Sequence, residues 1–285
     1  MARALKPAPR YQAAWLPGGR LHLNHGPMDL VIGADGPGAE AGFSRAISRF
    51  DGLLEELVAE LPALRKPDAP LAGPVARAMG QAVAPFRPAF VTPMAAVAGA
   101  VADAVLAALI AGPGISRAYV NNGGDIALHL TAGQSYAVAI GRSGQTARVA
   151  HGAGVGGIAT SGWRGRSQSL GIADAVTVLA PTAAMADAAA TMIANAVDLP
   201  GHPAITRRPA HEVKADSDLG FRHVTVDVAP LSRRDASRAL DTGAAFADTC
   251  LGRGLILGAA LFLQSETRIL GRAVLPAAPP EAPHG

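Results

Sequence analysis

The chain has 285 residues, 49% hydrophobic, 16% charged and 4% aromatic, and 25 Lys and Arg against 22 Asp and Glu give a formal charge of +3. That balance excludes a disordered chain, and 33 Gly and 22 Pro without a G-X-Y period exclude collagen. A single cysteine, Cys250, excludes an internal disulfide framework and any CxxC zinc or redox site, and the scattered arginines form no nucleic-acid patch.

The first ten residues are basic but have no apolar stretch behind them, and prolines at 7, 9 and 17 break any signal helix. The sequence therefore predicts a cytoplasmic protein. Along the chain, Phe43, Ile47, Phe50, Leu54, Leu57 and Leu61 recur at helical spacing and predict one helix over 41–61, stopped by Pro62. A short helix follows over 74–84. Thr92-Pro93 reads as an N-cap and first helical position, opening a helix over 94–110 that ends at Gly112-Pro113-Gly114. The run 95–111 is the most apolar of the chain, yet Asp103 at its centre marks a buried helix rather than a membrane span.

From 116 onward short β-like pieces take over, at 116–121, 125–130, 135–141 and 145–151, each bounded by Gly, Ser or Asn. Residues 174–180 read as a strand and 183–197 as an Ala-rich helix. Residues 200–220 read as a polar loop and 223–229 as a strand. Ser232 caps a helix over 233–249, and strands at 254–264 and 267–275 follow. Antiparallel-looking strands between long helices predict an α+β fold. Residues 1–40 read as an N-terminal extension with the first strands, 41–275 as one domain, and 276–285 as a disordered tail.

Three segments carry candidate chemistry. In Ala186-Asp187-Ala188-Ala189-Ala190-Thr191, Asp187 and Thr191 stand one helical turn apart, so a carboxylate and a hydroxyl share a face. Such oxygens suit Mg²⁺, whose shell is completed by phosphate and water; the plain structural alternative is that Asp187 caps a helix. Asn122-Gly123-Gly124-Asp125 is a strong hairpin-turn signal, and two glycines could also bring backbone close to a ligand. Thr160-Ser161-Gly162 ends a strand and offers free N–H groups for an anion. Residues 152–157 formally match G-x-G-x-x-G, but no helix pattern follows, so no dinucleotide fingerprint is read there.

In order, Pro93-Met-Ala-Ala-Val-Ala-Gly-Ala100, Asn122-Gly-Gly-Asp-Ile126, Ile158-Ala-Thr-Ser-Gly162, Ser169-Leu-Gly-Ile-Ala-Asp-Ala-Val-Thr-Val178 and Ala186-Asp-Ala-Ala-Ala-Thr191 resemble the UPF0280 family, which is similar to the ApbE flavin transferases. The resemblance covers roughly residues 40 to 270. It implies a single ApbE-like domain of antiparallel sheet and long helices. It also implies Mg²⁺ held by Asp187 and Thr191 with a backbone carbonyl near Ala95. The ligand-lining loops fall at Asn122, Gly123, Gly124 and Asp125 and at Thr160, Ser161 and Gly162, and Asp103 matches an acidic residue of the family's helix. The implied ligand is FAD or FMN, and the implied chemistry is FMN transfer to an acceptor protein or FAD hydrolysis.

Two departures weaken that chemistry. Ala98 stands where the transferases carry a lysine, and their His-Ile-Ile-Asp-Pro segment is replaced by Arg164-Gly-Arg-Ser-Gln-Ser-Leu-Gly171, whose Arg164 or Arg166 is the visible source of replacement charge. The expectation is a protein that binds a small Mg²⁺-phosphorylated ligand of flavin or nucleotide type, with phosphoanhydride hydrolysis or FMN transfer as its chemistry. The alternative is a non-catalytic flavin- or nucleotide-binding module. No catalytic residue is assigned, and neither nucleic acid nor a membrane is expected as a partner.

Overall fold

A computed structural model describes residues 10–140 and 145–271. The N-terminal hairpins are β1 (Gln12–Leu16), β2 (Arg20–His25) and β3 (Met28–Asp35). Helices α1 (Ala39–Phe50), α2 (Leu53–Ala59), α3 (Leu61–Leu64) and α4 (Pro74–Val83) follow, then a 3₁₀ turn at Pro93–Ala96 and α5 (Val97–Leu109). Next come β4 (Arg117–Asn122), β5 (Asp125–Leu130), β6 (Ser135–Ile140), β7 (Gln145–Ala150), β8 (Gly157–Ser161) and β9 (Ala175–Ala180). The chain continues through α6 (Ala183–Ala196), β10 (Ile205–Pro209), α7 (Ala210–Val213) and β11 (His223–Val228). It then forms α8 (Arg233–Gly252), β12 (Gly258–Leu263) and β13 (Glu266–Gly271).

The fold is α+β. Nine strands form one sheet in the order β1-β2-β3-β4-β5-β8-β9-β12-β13, with every neighbouring pair antiparallel. Strands β1–β3 thus continue the same sheet that holds β4 and β5. Period-2 alternation divides the two faces. Val120, Ala127, Ala159, Val178 and Leu261 turn toward α1, α4, α5, α6 and α8 in the main core. Leu128, Ile158, Leu179 and Ala260 turn the other way and pack under the separate β6–β7 ribbon. Each fully buried Leu or Ile of this core adds roughly 1.5–3 kcal/mol of burial free energy.

Several expectations change. The helix expected over 41–61 is three, because Gly52 adopts φ +84, a left-handed conformation that ends α1 and seats α2. Pro62 does not stop a helix; it lies in the first turn of α3, where a missing N–H costs nothing. Thr92 is no cap either: its hydroxyl donates to Asp218, and the 3₁₀ turn intervenes before α5. Ser232 does cap α8, accepting from the Asp235 N–H at 3.1 Å. The polar stretch 200–220 contains β10 and α7, stabilised by pairing with β11. The expected tail at 276–285 lies outside the described residues. Among the described residues no helix is long and apolar enough to cross a membrane.

Candidate functional site

The site grows from the packing of α5 against α6. Both helices are built of small residues, and Gly99 in the first turn of α5 has no room for a side chain: a Cβ there would strike the Ala183 carbonyl and the Ala184 nitrogen. At that separation the helices run antiparallel and each caps the other. Asp103 of α5 accepts from the N–H groups of Ala183 and Ala184 at 3.0 and 2.9 Å, at the start of α6. Asp187 of α6 accepts from the Gly99 N–H at 3.1 Å and from Ala98, at the start of α5. Four of the donors a helix N-terminus leaves unpaired are satisfied in this way.

Asp187 is therefore a cap, but of the neighbouring helix; α6 itself is capped by Thr182, which accepts from Met185 N at 3.2 Å. Thr191 lies one turn further along α6, partly exposed, and among the described residues its hydroxyl has no partner. Asn195, one turn beyond, serves structure: its side-chain oxygen accepts from Leu170 N at 2.9 Å and pins the segment after the Thr-Ser-Gly loop. Ala95 sits in the 3₁₀ turn that feeds α5, three residues before Ala98.

Residues 122–125 join this corner. Gly123 and Gly124 have φ +66 and +118, so the segment is a two-residue β-hairpin turn of the primed kind, between β4 and β5. It is also held to the site. Asn122, buried, donates to the Ala98 carbonyl at 3.2 Å and accepts from Asp29 N at 3.3 Å. Asp125 projects to the helix side of the sheet, as Ala127 does, and accepts from Thr160 N at 3.3 Å.

The Asp125 carboxyl is pushed up to about 7 by burial, against the Thr160 N–H and the Arg166 guanidinium, which favour the charged form. Asp187 is raised well above the ordinary carboxylate range, first by burial and then by the negative charge of Asp125, against the two α5 N–H groups. Asp187 thus meets the first turn of α5, and Asp125 of β5 stands near enough for its charge to act on Asp187.

The Thr160-Ser161-Gly162 segment divides. Thr160 supplies its backbone N–H to Asp125, but its hydroxyl lies on the opposite face, 2.9 Å from that of Thr177. Ser161 alternates to the helix face, and among the described residues its hydroxyl is unpartnered. Gly162 packs against the Ala173 and Asp174 carbonyls, where a Cβ would collide. The next residues anchor the loop: Trp163 Nε1 donates to Asp174 at 3.1 Å, and Arg164 pairs with the same carboxylate at 2.6 Å while covering the Trp163 ring at 4.5 Å. Arg166 instead lies directly on Gly123.

What the sequence reading missed is the reciprocal capping and the contact of Arg166 with the glycine turn. The Ala-rich stretch around Gly99 was the available signal for the first, since a lone glycine in a helix marks close approach. A cleft of about 430 Å³, lined by Gln81, Phe86, Asp103, Thr182, Met185 and Leu255 among others, opens beside the Asp103 cap; none of the residues expected to hold the metal or line the ligand is among its lining.

Among the described residues no three His, Cys, Asp or Glu side chains cluster as a metal cage. The donor set at Asp187 is oxygen only, and its carboxylate, with about four lone-pair positions, keeps room beside two N–H donors. Those features fit Mg²⁺, which takes one or two carboxylates and leaves the rest of its shell to water and phosphate.

A family model described as AbpE bacteria matches residues 13–269. A UPF0280 protein of Methanopyrus kandleri is 38% identical over 182 residues, 59% of this chain and 69% of that protein. UPF0280 proteins of Methanothermobacter thermautotrophicus and Methanothrix thermoacetophila are 43% and 38% identical over 119 and 130 residues, which span 46% and 53% of their own lengths. With the family model running from β1 into β13, and the Methanopyrus relative matched over more than two thirds of its length, the chain belongs to the UPF0280 family of ApbE-like proteins.

Proposed function

We propose that this protein binds a small Mg²⁺-phosphorylated ligand of the flavin or nucleotide type at the corner formed by the α5 N-terminus, Asp187 and Asp125. The observation that carries the reading is a pair of enclosed carboxyls, Asp187 bonded to the α5 start and Asp125 bonded to Thr160 N–H, near enough that the charge of one raises the other. Two negative groups held together in a partly dry site favour a divalent cation, which relieves their repulsion. Asp187 and Thr191 would hold the cation, joined by the Ala95 carbonyl. Asn122, Gly123, Gly124 and Asp125, the Thr160 N–H, Ser161 and Gly162 would line the ligand. When bound, Mg²⁺ supplies charge neutralisation and polarisation of a phosphoryl oxygen. The chain's own residues position: Asn122 fixes the Ala98 carbonyl, and the Thr160 N–H fixes Asp125.

Phosphoanhydride hydrolysis or FMN transfer to an acceptor protein would then need an attacking oxygen from water or the acceptor. A specific observation favours the second reading, a binding module without transfer. Ala98 is partly exposed at the centre of this corner, so the position where the transferases carry a lysine offers only a methyl group. One lost charge-assisted contact costs about 1.5–3 kcal/mol, roughly tenfold or more in binding or rate.

The test is calorimetric titration of the purified protein with FAD, FMN and ADP, each with and without Mg²⁺, alongside an FMN-labelling assay on a threonine-bearing acceptor peptide. Mg²⁺-dependent binding that Asp187→Asn weakens at least about tenfold is the expected result, with little labelling. Binding indifferent to both Mg²⁺ and Asp187→Asn overturns the cation site, and strong labelling overturns the module reading.

A further inference from the structure

We propose that Arg166 is the anion-gripping residue of this site: its guanidinium, seated on the bare backbone of Gly123, holds a phosphate group of the ligand and takes over the charge that Ala98 does not provide. The inference rests on the binding reading above and adds the residue that decides which ligands enter.

Four observations carry it. The first is steric. Gly123 has φ +66, and the place where its Cβ would stand is filled by an Arg166 nitrogen, so the glycine turn and the guanidinium fit one another directly. A side chain at 123 would push the guanidinium off the turn.

The second is the division of labour within the loop. Arg164 is committed, paired with Asp174 at 2.6 Å and laid over the Trp163 ring, and Asp174 is itself tied to Trp163 Nε1. Arg166, two residues on, is exposed and makes no side-chain hydrogen bond among the described residues. Resting on the turn, the guanidinium keeps hydrogen-bonding capacity to spare among the described residues, and Asp125 feels its charge.

The third is the fixed mounting of the loop. Gln168 donates to the Ala210 carbonyl at 2.9 Å and accepts from the Ser217 hydroxyl, Ser169 is buried, and Asn195 binds Leu170 N. Arg166 therefore projects from a short span anchored at Trp163 and Gln168, and cannot wander far from the turn. The fourth is charge. Asp125 and Asp187 stand close enough for the charge of one to oppose ionisation of the other, so a phosphate beside them calls for a cation; Arg166, whose charge already acts on Asp125, is the one this chain supplies. A guanidinium suits this place because its planar fork grips two phosphate oxygens at once, whereas an ammonium is a point charge.

The experiment uses inorganic pyrophosphate as the probe, titrated calorimetrically into the full chain without metal and then with Mg²⁺. The variants are Arg166→Ala, Arg166→Lys and Asp187→Asn. Because Arg166 is an exposed loop side chain, its variants should melt with the wild type, which differential scanning calorimetry checks. Arg166→Ala should weaken pyrophosphate at least about tenfold in both arms. It should also flatten the salt dependence of binding, while Arg166→Lys restores part of the affinity and the salt slope. Asp187→Asn should remove only the increment that Mg²⁺ adds. If wild type fails to bind pyrophosphate at millimolar concentration, or Arg166→Ala binds it as well as wild type, the proposal is overturned. If Arg166 governs binding but Mg²⁺ adds nothing, Arg166 stands as an anion site and the cation reading is the one that falls.

Discussion

Gly99→Ala is the sharpest perturbation of the helix pair that carries the site. In an exposed helix the substitution gains stability, by up to about 1 kcal/mol of propensity. Here the sign should reverse. The added methyl would meet the Ala183 carbonyl and the Ala184 nitrogen, all backbone, so no side chain can rotate out of the way and the helices must part. Overpacking of this kind costs about 1–3 kcal/mol. Separation also stretches the bonds from Gly99 to Asp187 and from Ala183 and Ala184 to Asp103, each a cap contact of about 0.5–2 kcal/mol. With the propensity gain subtracted, a net loss of about 1–4 kcal/mol is expected. In a domain of this size each kcal/mol lowers the melting midpoint by about 2–4 °C. Gly252→Ala in α8 is the internal control, because nothing lies within 4 Å of where its Cβ would stand. Urea unfolding of the two variants should therefore move in opposite directions. A Gly99→Ala protein as stable as wild type would refute the close approach, and the reciprocal capping with it.

Two further outcomes follow from the same corner. Asp103→Ala should cost about 1–2 kcal/mol in urea unfolding, since it strips both acceptors from the start of α6, while Asp103→Asn keeps one and should cost less; equal, negligible losses would show the cap to be idle. The Asp125 carboxyl sits near 7 in the folded protein, above its unfolded value of about 3.9, so between those pH values the unfolded chain has released a proton that the native state still holds. Stability should therefore be lost as pH rises from about 4 to about 7 and level off above, by about 1–3 kcal/mol once partial solvent access is allowed for. Asp125→Asn should remove that part of the pH dependence, and urea midpoints of variant and wild type that stay parallel from pH 4.5 to 7.5 would exclude it.

How much of this was legible depended on how local the cause was. The turn at Gly123-Gly124 and the cap at Ser232 lie within four residues of their partners, and sequence pattern reads such contacts well. The break at Gly52 was harder: hydrophobic spacing runs straight through it, and the left-handed φ that ends α1 has no signature in periodicity. Thr92 carried a cap signal, but its hydroxyl was taken by Asp218, 126 residues away. Asp187 and Thr191 were visible as a one-turn pair, yet the groups that give Asp187 its character come from α5 and β5. The Thr160-Ser161-Gly162 segment looked like a source of free N–H groups, but the pairing of β5 with β8 gives the Thr160 N–H to Asp125, 35 residues away.

The two reciprocal caps differ in one respect that bears on the proposed cation site. Asp103 and Asp187 play the same structural part: each is a largely enclosed carboxyl that accepts two N–H groups at the start of the other's helix. A helix N-terminus carries about half a positive charge, so a single carboxylate there is close to compensated. At Asp103 the compensation stands almost alone, because burial is opposed only by the Ala183 and Ala184 bonds. At Asp187 burial is again the first cause, but a second carboxyl adds to it, since the charge of Asp125 on β5 also opposes ionisation, against the two N–H bonds from α5. The cleft of about 430 Å³ lies beside Asp103, while the second carboxyl, Asp125, lies where the glycine turn, the Thr160 N–H and Arg166 meet. Cavity size and paired carboxyls thus point to different ends of the helix pair, and the proposed cation site follows the carboxyls.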